Sequence, residues 1–398
     1  MIKIKNTSIF LISISYILFF SCSEKAKLDI ASSDYYDVPN LSTNNNYKKV
    51  KKIEINSSKM DSTISSSFVG DLWINDNSLY FSDSHFNYVF HLDANGNLIN
   101  TFLGRGEGPN EIPDLDDIVA NDNGSYTVLN TSTSSIYNFD KDWKRINKVQ
   151  IDFGIKRSYK EVIDNPEPSL PESYELETGY NDIMMNWDDK YVAMSVNASH
   201  PSFNGYFKSD LFYNRSRVLA LIDKKTGMIE EFIGRRPPIY LEKQNIPSFN
   251  HFKFETDIKN AYLSFMPDPN IYVIDKTTKL AIGKFGAPGK DMKINYRLTD
   301  NYEQAQENEV EDLTIYGYYS NIKLIPEENL VFRTYTRGQG STNDGLQIYK
   351  KYNLIGDVNV PKGFKIIGKI DDDYIGAISE ENSEEEVLFY KIKFNYED

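Results

Sequence analysis

Three stretches of this chain share one outline: Leu92-Asp-Ala-Asn-Gly-Asn-Leu-Ile-Asn-Thr-Phe-Leu-Gly104-Arg105, Ile222-Asp-Lys-Lys-Thr-Gly-Met-Ile-Glu-Glu-Phe-Ile-Gly234-Arg235 and Ile274-Asp-Lys-Thr-Thr-Lys-Leu-Ala-Ile-Gly-Lys-Phe-Gly286. In each, an Asp precedes a glycine by 11 positions: Asp93 to Gly104, Asp223 to Gly234, Asp275 to Gly286. Each reads as a strand ending at aliphatic-Asp, a polar turn, a returning strand, and a glycine at which the chain leaves in a conformation other residues avoid. Phe139-Asp140-Lys-Asp-Trp-Lys144 repeats the first half alone, and Tyr349 to Gly356 and Phe389-Tyr-Lys-Ile are fainter echoes.

The turns recur every 40 to 50 residues or so, with two longer intervals holding insertions. That is the length of a four-stranded β-propeller blade. The predicted blades are 65–105, 115–153, 179–235, 248–287, 315–360 and 363–395. The last has room for three strands only, while Lys48-Lys-Val-Lys-Lys-Ile-Glu-Ile55 alternates like a strand and has no other place. It is expected to supply the missing fourth strand, closing the ring so that no edge is left open. The fold class is therefore all-β, a six-bladed β-propeller of four-stranded antiparallel blades over residues 47–398. A large sandwich would not repeat the Asp-to-Gly spacing, and a β-helix has a much shorter period. Helix-period sequence is nearly absent, and the region around 300 to 312 is the one credible helix.

Upstream of the ring the chain changes character. Lys3 and Lys5 precede an apolar run from Ile9 to Phe20, 12 residues long. That is too short to span a bilayer and right for the apolar region of a secretory signal. Ser21 and then Cys22, the only cysteine, follow. One reading is a cleaved signal with an incidental or buried thiol. The better fit is a lipoprotein signal over 1–21, resembling a lipobox with Phe19-Phe20-Ser21 in its variable positions, with diacylglycerol attached to Cys22. Residues 22–46, with Ser32-Ser33 and Ser42-Thr-Asn-Asn-Asn46, read as the lipidated cysteine and a flexible tether. The expected location is the bacterial cell envelope, anchored to the outer membrane, its face undetermined.

The 398 residues carry 44 Lys+Arg against 58 Asp+Glu, a net charge of −14. Phosphate backbones repel such a chain, which argues against nucleic acid as a partner. Aromatics at 14% exclude a solvated coil.

Phe102-Leu-Gly-Arg-Gly-Glu-Gly-Pro-Asn-Glu-Ile112, followed by Asp116-Asp-Ile-Val-Ala-Asn121, resembles the Gly-rich blade-linking segment of the six-bladed β-propeller lipoproteins of Bacteroidota, TolB-like with NHL-type repeats. The resemblance rests on Gly104, Arg105, Gly106, Gly108, Pro109 and Glu111; the later copies, Gly234-Arg-Arg-Pro237 and Gly286-Ala-Pro-Gly289, are degraded. It implies architecture and location more than activity, since most of that family has no assigned biochemistry.

Candidate chemistry is sparse. Gly104 to Gly108 is not followed by the helix and Lys-Ser/Thr that a phosphate loop needs, so it reads as a blade crossover. His85 and His91 are expected on adjacent strands of the first blade; with His200 and His251 they form no zinc-type pair, and no G-x-S-x-G elbow is present. Asp114, Asp116 and Asp117 beside the Gly-rich loop, and Asp371 to Asp373, are the candidates for calcium, a cation that takes hard oxygen ligands. Tyr316, Tyr318 and Tyr319, with the insertion His200 to Phe207, are candidates for stacking on a sugar ring or peptide at the channel mouth. The sequence thus favours a lipid-anchored binding or scaffolding module for a glycan, peptide or protein of the envelope. Its loops at 155–178, 199–215, 288–312 and 337–345 would form the contact surface. The rival is a gluconolactonase-like hydrolase or lyase using a divalent metal at the central channel.

Overall fold

The computed structural model describes residues 30–397 except 44, 178–183, 207–209, 244, 300 and 379–385. The signal sequence and Cys22 therefore lie outside the described residues. The first strand, β1 (Val50–Lys59), belongs to the last blade. Blade one is β2 (Gly70–Asn75), β3 (Ser78–Asp83), β4 (Tyr88–Leu92) and β5 (Leu98–Leu103); blade two is β6 (Asp117–Ala120), β7 (Tyr126–Asn130), β8 (Ser135–Phe139) and β9 (Arg145–Gln150). In blade three, β10 (Tyr174–Leu176) and β11 (Met184–Asn186) both pair with β12 (Tyr191–Ala198), followed by β13 (Leu219–Asp223) and β14 (Ile229–Ile233). Blade four is β15 (Phe252–Thr256), β16 (Asn260–Phe265), β17 (Asn270–Asp275) and β18 (Ala281–Gly286). Blade five is β19 (Tyr318–Ile325), β20 (Leu330–Thr336), β21 (Asp344–Lys350) and β22 (Asn353–Val360). Blade six joins β23 (Phe364–Ile370), β24 (Asp373–Ile378) and β25 (Leu388–Tyr396) to β1, with Ile55 opposite Ile392. The ring has six antiparallel blades and is closed by the N-terminal strand, as the alternation at 48–55 predicts.

The sequence repeat has a local physical cause. The Asp93 carboxylate accepts hydrogen bonds from the amides of Asn95 (2.8 Å) and Asn97 (2.9 Å), and Asp223 does the same for Lys225 (2.8 Å) and Thr226 (3.0 Å). Asp275 accepts from Thr278 (2.7 Å), and Asp140 from Lys144 (2.9 Å). Each Asp thus folds its own turn between the third and fourth strands. Pairing slips by one residue just before or at the Asp in blades one to four, between Leu92 and its neighbour, at Phe139, at Ile222 and at Ile274. The exit glycines Gly104, Gly234 and Gly286 have φ of 144°, 69° and 149°. At Gly286 a Cβ would lie 2.1 Å from the Pro269 carbonyl, so no side chain fits there.

Large side chains fill the gaps between neighbouring sheets. Ile325, Phe332, Ile348, Phe364, Tyr390 and Ile392 join blades five and six, and Leu79, Phe81, Phe90, Ile375 and Phe389 join six and one. Among the described residues five α-helices decorate the ring: α1 (Ser32–Tyr35), α2 (Tyr159–Asp164), α3 (Asp210–Arg215), α4 (Ile239–Glu242) and α5 (Tyr302–Ile315). Helix α5 is the one anticipated near 300–312; the Asn301 side chain caps it by accepting from the Gln304 amide (2.8 Å).

The expected slack tether does not hold for residues 30–43. Ser32 Oγ donates to the Tyr213 (3.2 Å) and Asn214 (2.9 Å) carbonyls. Tyr36 is 2% exposed, its ring 4.1 Å from that of Tyr272, and its hydroxyl donates to the Arg235 carbonyl (2.7 Å). Asn40 pairs in parallel with Lys284 of β18, and Leu41 and Pro39 complete two backbone hydrogen bonds there. Ser42 and Thr43 then bond Tyr352 and Asn353 in blade five before β1 begins. This strap runs round the outside of blades three to five and covers an edge strand. Two aromatic residues, Tyr35 and Tyr36, make the difference by burying ring area in a segment that is otherwise polar.

Candidate functional site

The two ends of the ring differ. One carries the short hairpins with the Asp turns. The other carries the connections between second and third strands and the crossovers between blades. Every loop anticipated as a contact surface lies at this second end: 151–173 between β9 and β10, 199–218 between β12 and β13, 287–317 between β18 and β19, and 337–343 between β20 and β21. We call it the loop face.

Its insertions are built rigidly. Ser158 and Glu161 form a reciprocal capping box at α2. His200 Nε2 donates to the Val162 carbonyl (3.0 Å) while its Nδ1 accepts from the Ser202 amide (3.1 Å), which sets the tautomer and ties the insertion of blade three to α2. The buried Arg236 guanidinium donates to the Asn250 carbonyl and to Asn197 Oδ1 (3.1 Å), with the Phe212 ring 4.6 Å away. Asp312 of α5 accepts from Ser248 Oγ (3.0 Å) and Arg297 Nε (2.9 Å), docking the helix on the 247–249 turn.

Where these pieces surround the channel mouth, several ionisable groups meet. Glu177 Oε2 is 3.8 Å from His251 Nδ1, and Ser195 Oγ donates to the Glu177 carbonyl (3.1 Å). Burial raises the Glu175 carboxyl above its ordinary range. Burial also raises the Tyr206 hydroxyl, helped by the nearby Tyr302, Glu309, Glu177 and Glu175, and the Tyr206 ring meets Tyr302 edge-on at 4.8 Å. His251 is held down at about 3, by burial first and then by the charges of Arg236 and Lys253. Two carboxylates, an imidazole and a phenol whose ring stands edge-on to that of Tyr302 suit recognition of a hydroxyl-bearing or amide-bearing ligand.

His251 provides a pH test. Its folded value lies below the ordinary 6.5, so between about 6.5 and 3 the unfolded chain takes up a proton that the folded chain refuses. Stability is expected to fall as pH drops through that window, and His251→Gln to flatten the slope. Urea midpoints measured from pH 6.5 to 4 check it; equal slopes in the two proteins would refute it.

The residues singled out from sequence fare differently. The segment 104–112 forms a closed loop: the Gly106 amide donates to the Ile112 carbonyl (3.1 Å) and the Ile112 amide to the Gly104 carbonyl (3.0 Å). Glu111 curls into it and accepts from the Gly108 amide (2.9 Å). A Cβ on Gly106 would lie 2.0 Å from the Glu111 carboxylate, so this glycine is required for close approach and Gly104 for its positive φ. The cradle is occupied by the chain's own anion. Arg105 pairs with Asp114 at 3.6 Å, and Pro109 lies at the loop's tip.

The three aspartates do not converge. Asp116 accepts from the Thr131 amide (2.7 Å), and Asp117 from the amides of Ile118 (2.8 Å) and Met184 (2.7 Å). Among the described residues no three His, Cys, Asp or Glu side chains are grouped to hold a metal ion. His85 lies in the connection between β3 and β4, not on a strand beside His91, because Asp83 accepts from the amides of His85 and Phe86 and ends β3. Tyr319 is core and not a stacking platform: it is 2% exposed, and the Arg333 guanidinium sits 3.4 Å from its ring centroid. Tyr316 and Tyr318 are half-buried around Phe249, at 6.0 and 6.1 Å. Alternation along β19 sends neighbouring residues to opposite sides of the sheet. Tyr206 lies in the insertion 200–207 anticipated for stacking, and His251 is weighed in the sequence only as a zinc ligand; Glu175, Glu177 and Arg236 are not anticipated as site residues, because they form no local motif with either.

At the opposite end, a cleft of about 160 Å³ between blades five and six is lined by Tyr47, Lys48, Glu328, Lys350, Tyr374 and Tyr396, among others. Its carboxylate, Glu328, is already engaged by Lys369 and Tyr374.

No protein-family model matches the chain, and no curated protein does. Among the solved structures that share the ring are two from Bacteroides. One is a member of the DUF4221 family from Bacteroides vulgatus, 13% identical, with a TM-score of 0.64 over 88% of this chain and 100% of that one. The other is a presumed exported protein from Bacteroides fragilis, 14% identical, with a TM-score of 0.51 over 88% of this chain and 98% of that one. At such identity the likeness is one of fold. Neither is described as TolB-like or as an NHL-repeat protein, so that finer resemblance stays with the Gly-rich motif.

Proposed function

We propose that the protein is a lipid-anchored β-propeller of the bacterial envelope that binds a glycan, peptide or protein at its loop face. The observation that carries this reading is the gathering of the insertions at 151–173, 199–218, 287–317 and 337–343 at one end of the ring, round a mouth with half-buried polar groups. The lipoprotein-like signal ending at Cys22 and the exported Bacteroides structure of the same fold support the envelope location. Against the metal-dependent hydrolase, Asp114 pairs with Arg105, Asp116 and Asp117 accept from backbone amides, and no three His, Cys, Asp or Glu side chains among the described residues are grouped to hold a metal ion.

The test is thermal unfolding of the chain from residue 23 with a glycan and peptide panel, with calcium, and with EDTA. A ligand that binds only the folded protein stabilises it by about 2.7 kcal/mol at a hundred times its dissociation constant. A shift with a glycan or peptide that is lost in Tyr206→Ala is the expected result. A shift with calcium alone, reversed by EDTA, would overturn the reading in favour of the metal enzyme.

A further inference from the structure

The strap does more than cover an edge; it fixes where the chain leaves the ring. At Ile30 the backbone carbonyl accepts from Arg235 Nε (3.0 Å), and two residues later Ser32 bonds Tyr213 and Asn214. Arg235 follows β14 and Tyr213 lies in α3, both at the loop face. Eight residue steps separate Ile30 from Cys22, which reach at most about 29 Å when fully extended. A blade strand of six residues is already about 20 Å long. An anchor at Cys22 could bring the hairpin end to the bilayer only by running nearly taut down the side of the ring.

The surface beside this exit carries exposed apolar side chains among charged and polar ones. The Asn245 amide donates to Tyr213 Oη (3.1 Å) and the Thr299 amide to the Asn245 carbonyl (2.7 Å), so residue 298 lies two hydrogen-bonded steps from the residue that holds Ser32. Leu298 is 67% exposed, and Leu211, in the same short helix as Tyr213, is 41% exposed. Val310 of α5 and Tyr159 of α2, on the neighbouring insertions, are 78% and 81% exposed. Buried polar partners hold the insertions beneath these tips, so the apolar side chains point outward from braced loops.

We propose that the loop face is the membrane-facing end of the ring, with Leu211, Leu298, Val310 and Tyr159 resting at the lipid surface. This rests on the reading of Cys22 as the acylated residue. The channel mouth then opens onto the gap between ring and bilayer, and its partner is one that occupies that gap. The hairpin end, with its Asp turns, faces the open compartment.

The test uses the acylated full-length protein, in which Cys22 is blocked and a single introduced cysteine is the only free thiol. A polarity-sensitive fluorophore is placed at Leu298→Cys or at Ile258→Cys, a hairpin-end site that is 84% exposed. Both substitutions are at open surface positions and leave the core untouched. The proteins are bound to phosphatidylethanolamine–phosphatidylglycerol vesicles carrying a headgroup-level quencher. Quenching at position 298 at least threefold that at 258 is expected. Equal quenching, or stronger quenching at 258, would overturn the orientation. Failure of the anchor reading is seen separately, as the absence of diacylglycerol on Cys22 by mass spectrometry or as unchanged vesicle binding by Cys22→Ser.

Discussion

Replacing Tyr36 by alanine is expected to lower stability by about 3–5 kcal/mol, the range for deleting a fully buried aromatic ring. By composition the residue belongs to a polar leader, where substitution would do nothing. In the structure its ring fills the space against Tyr272 and its hydroxyl serves the Arg235 carbonyl. Tyr36→Phe should cost about 1 kcal/mol, since it loses only the hydrogen bond. Denaturant midpoints of the three proteins separate the two contributions, and an alanine variant as stable as the parent would show that the strap is a passive leader after all.

A comparable loss, about 3–5 kcal/mol, is expected for Arg333→Met. The guanidinium is 0% exposed and reaches from β20 into blade four, donating to Ser264 Oγ (2.8 Å) and to the carbonyls of Asp268 (2.6 Å) and Pro269 (2.7 Å). Methionine fills the volume but strands these acceptors without donors, and each buried orphan costs roughly 1–3 kcal/mol. Burial already disfavours the charged form, lowering the Arg333 value, so the site tolerates the charge only because the fork is fully used. Arg333→Lys should recover less than half of the loss, because a single ammonium cannot span the same carbonyls. A loss below 1 kcal/mol on urea unfolding would mean that apolar packing alone holds blades four and five together.

The ring itself was legible because its signals are local. An Asp that folds its own turn and a glycine at positive φ repeat at fixed spacing, and an alternating stretch at 48–55 with no other place to go must close the circle. Helix α5 was legible for the same reason, through Asn301 and the polar run behind it. What sequence does not carry is convergence. Glu175, Glu177, Arg236 and His251 meet only because blades three and four stand side by side, and Tyr206 because an insertion folds back over them. Tyr318 and Tyr319 look alike in the chain, yet the pleat of β19 buries Tyr319 under Arg333 and leaves Tyr318 half open. Tyr36 was misread because burial of one ring in a polar segment depends on the groove that receives it.

The pairing of β1 with β25 also sets an order of events. The first strand made waits for the last, so blade six cannot exist until the whole chain is available. Closing so long a loop costs little more than closing a shorter one, since each doubling adds only about 0.6 kcal/mol, but contacts this distant in sequence slow folding. A chain emerging N-terminus first therefore carries the unpaired strand β1 until its last strand is made. The ring closes in a single late step, when residues 388–396 arrive.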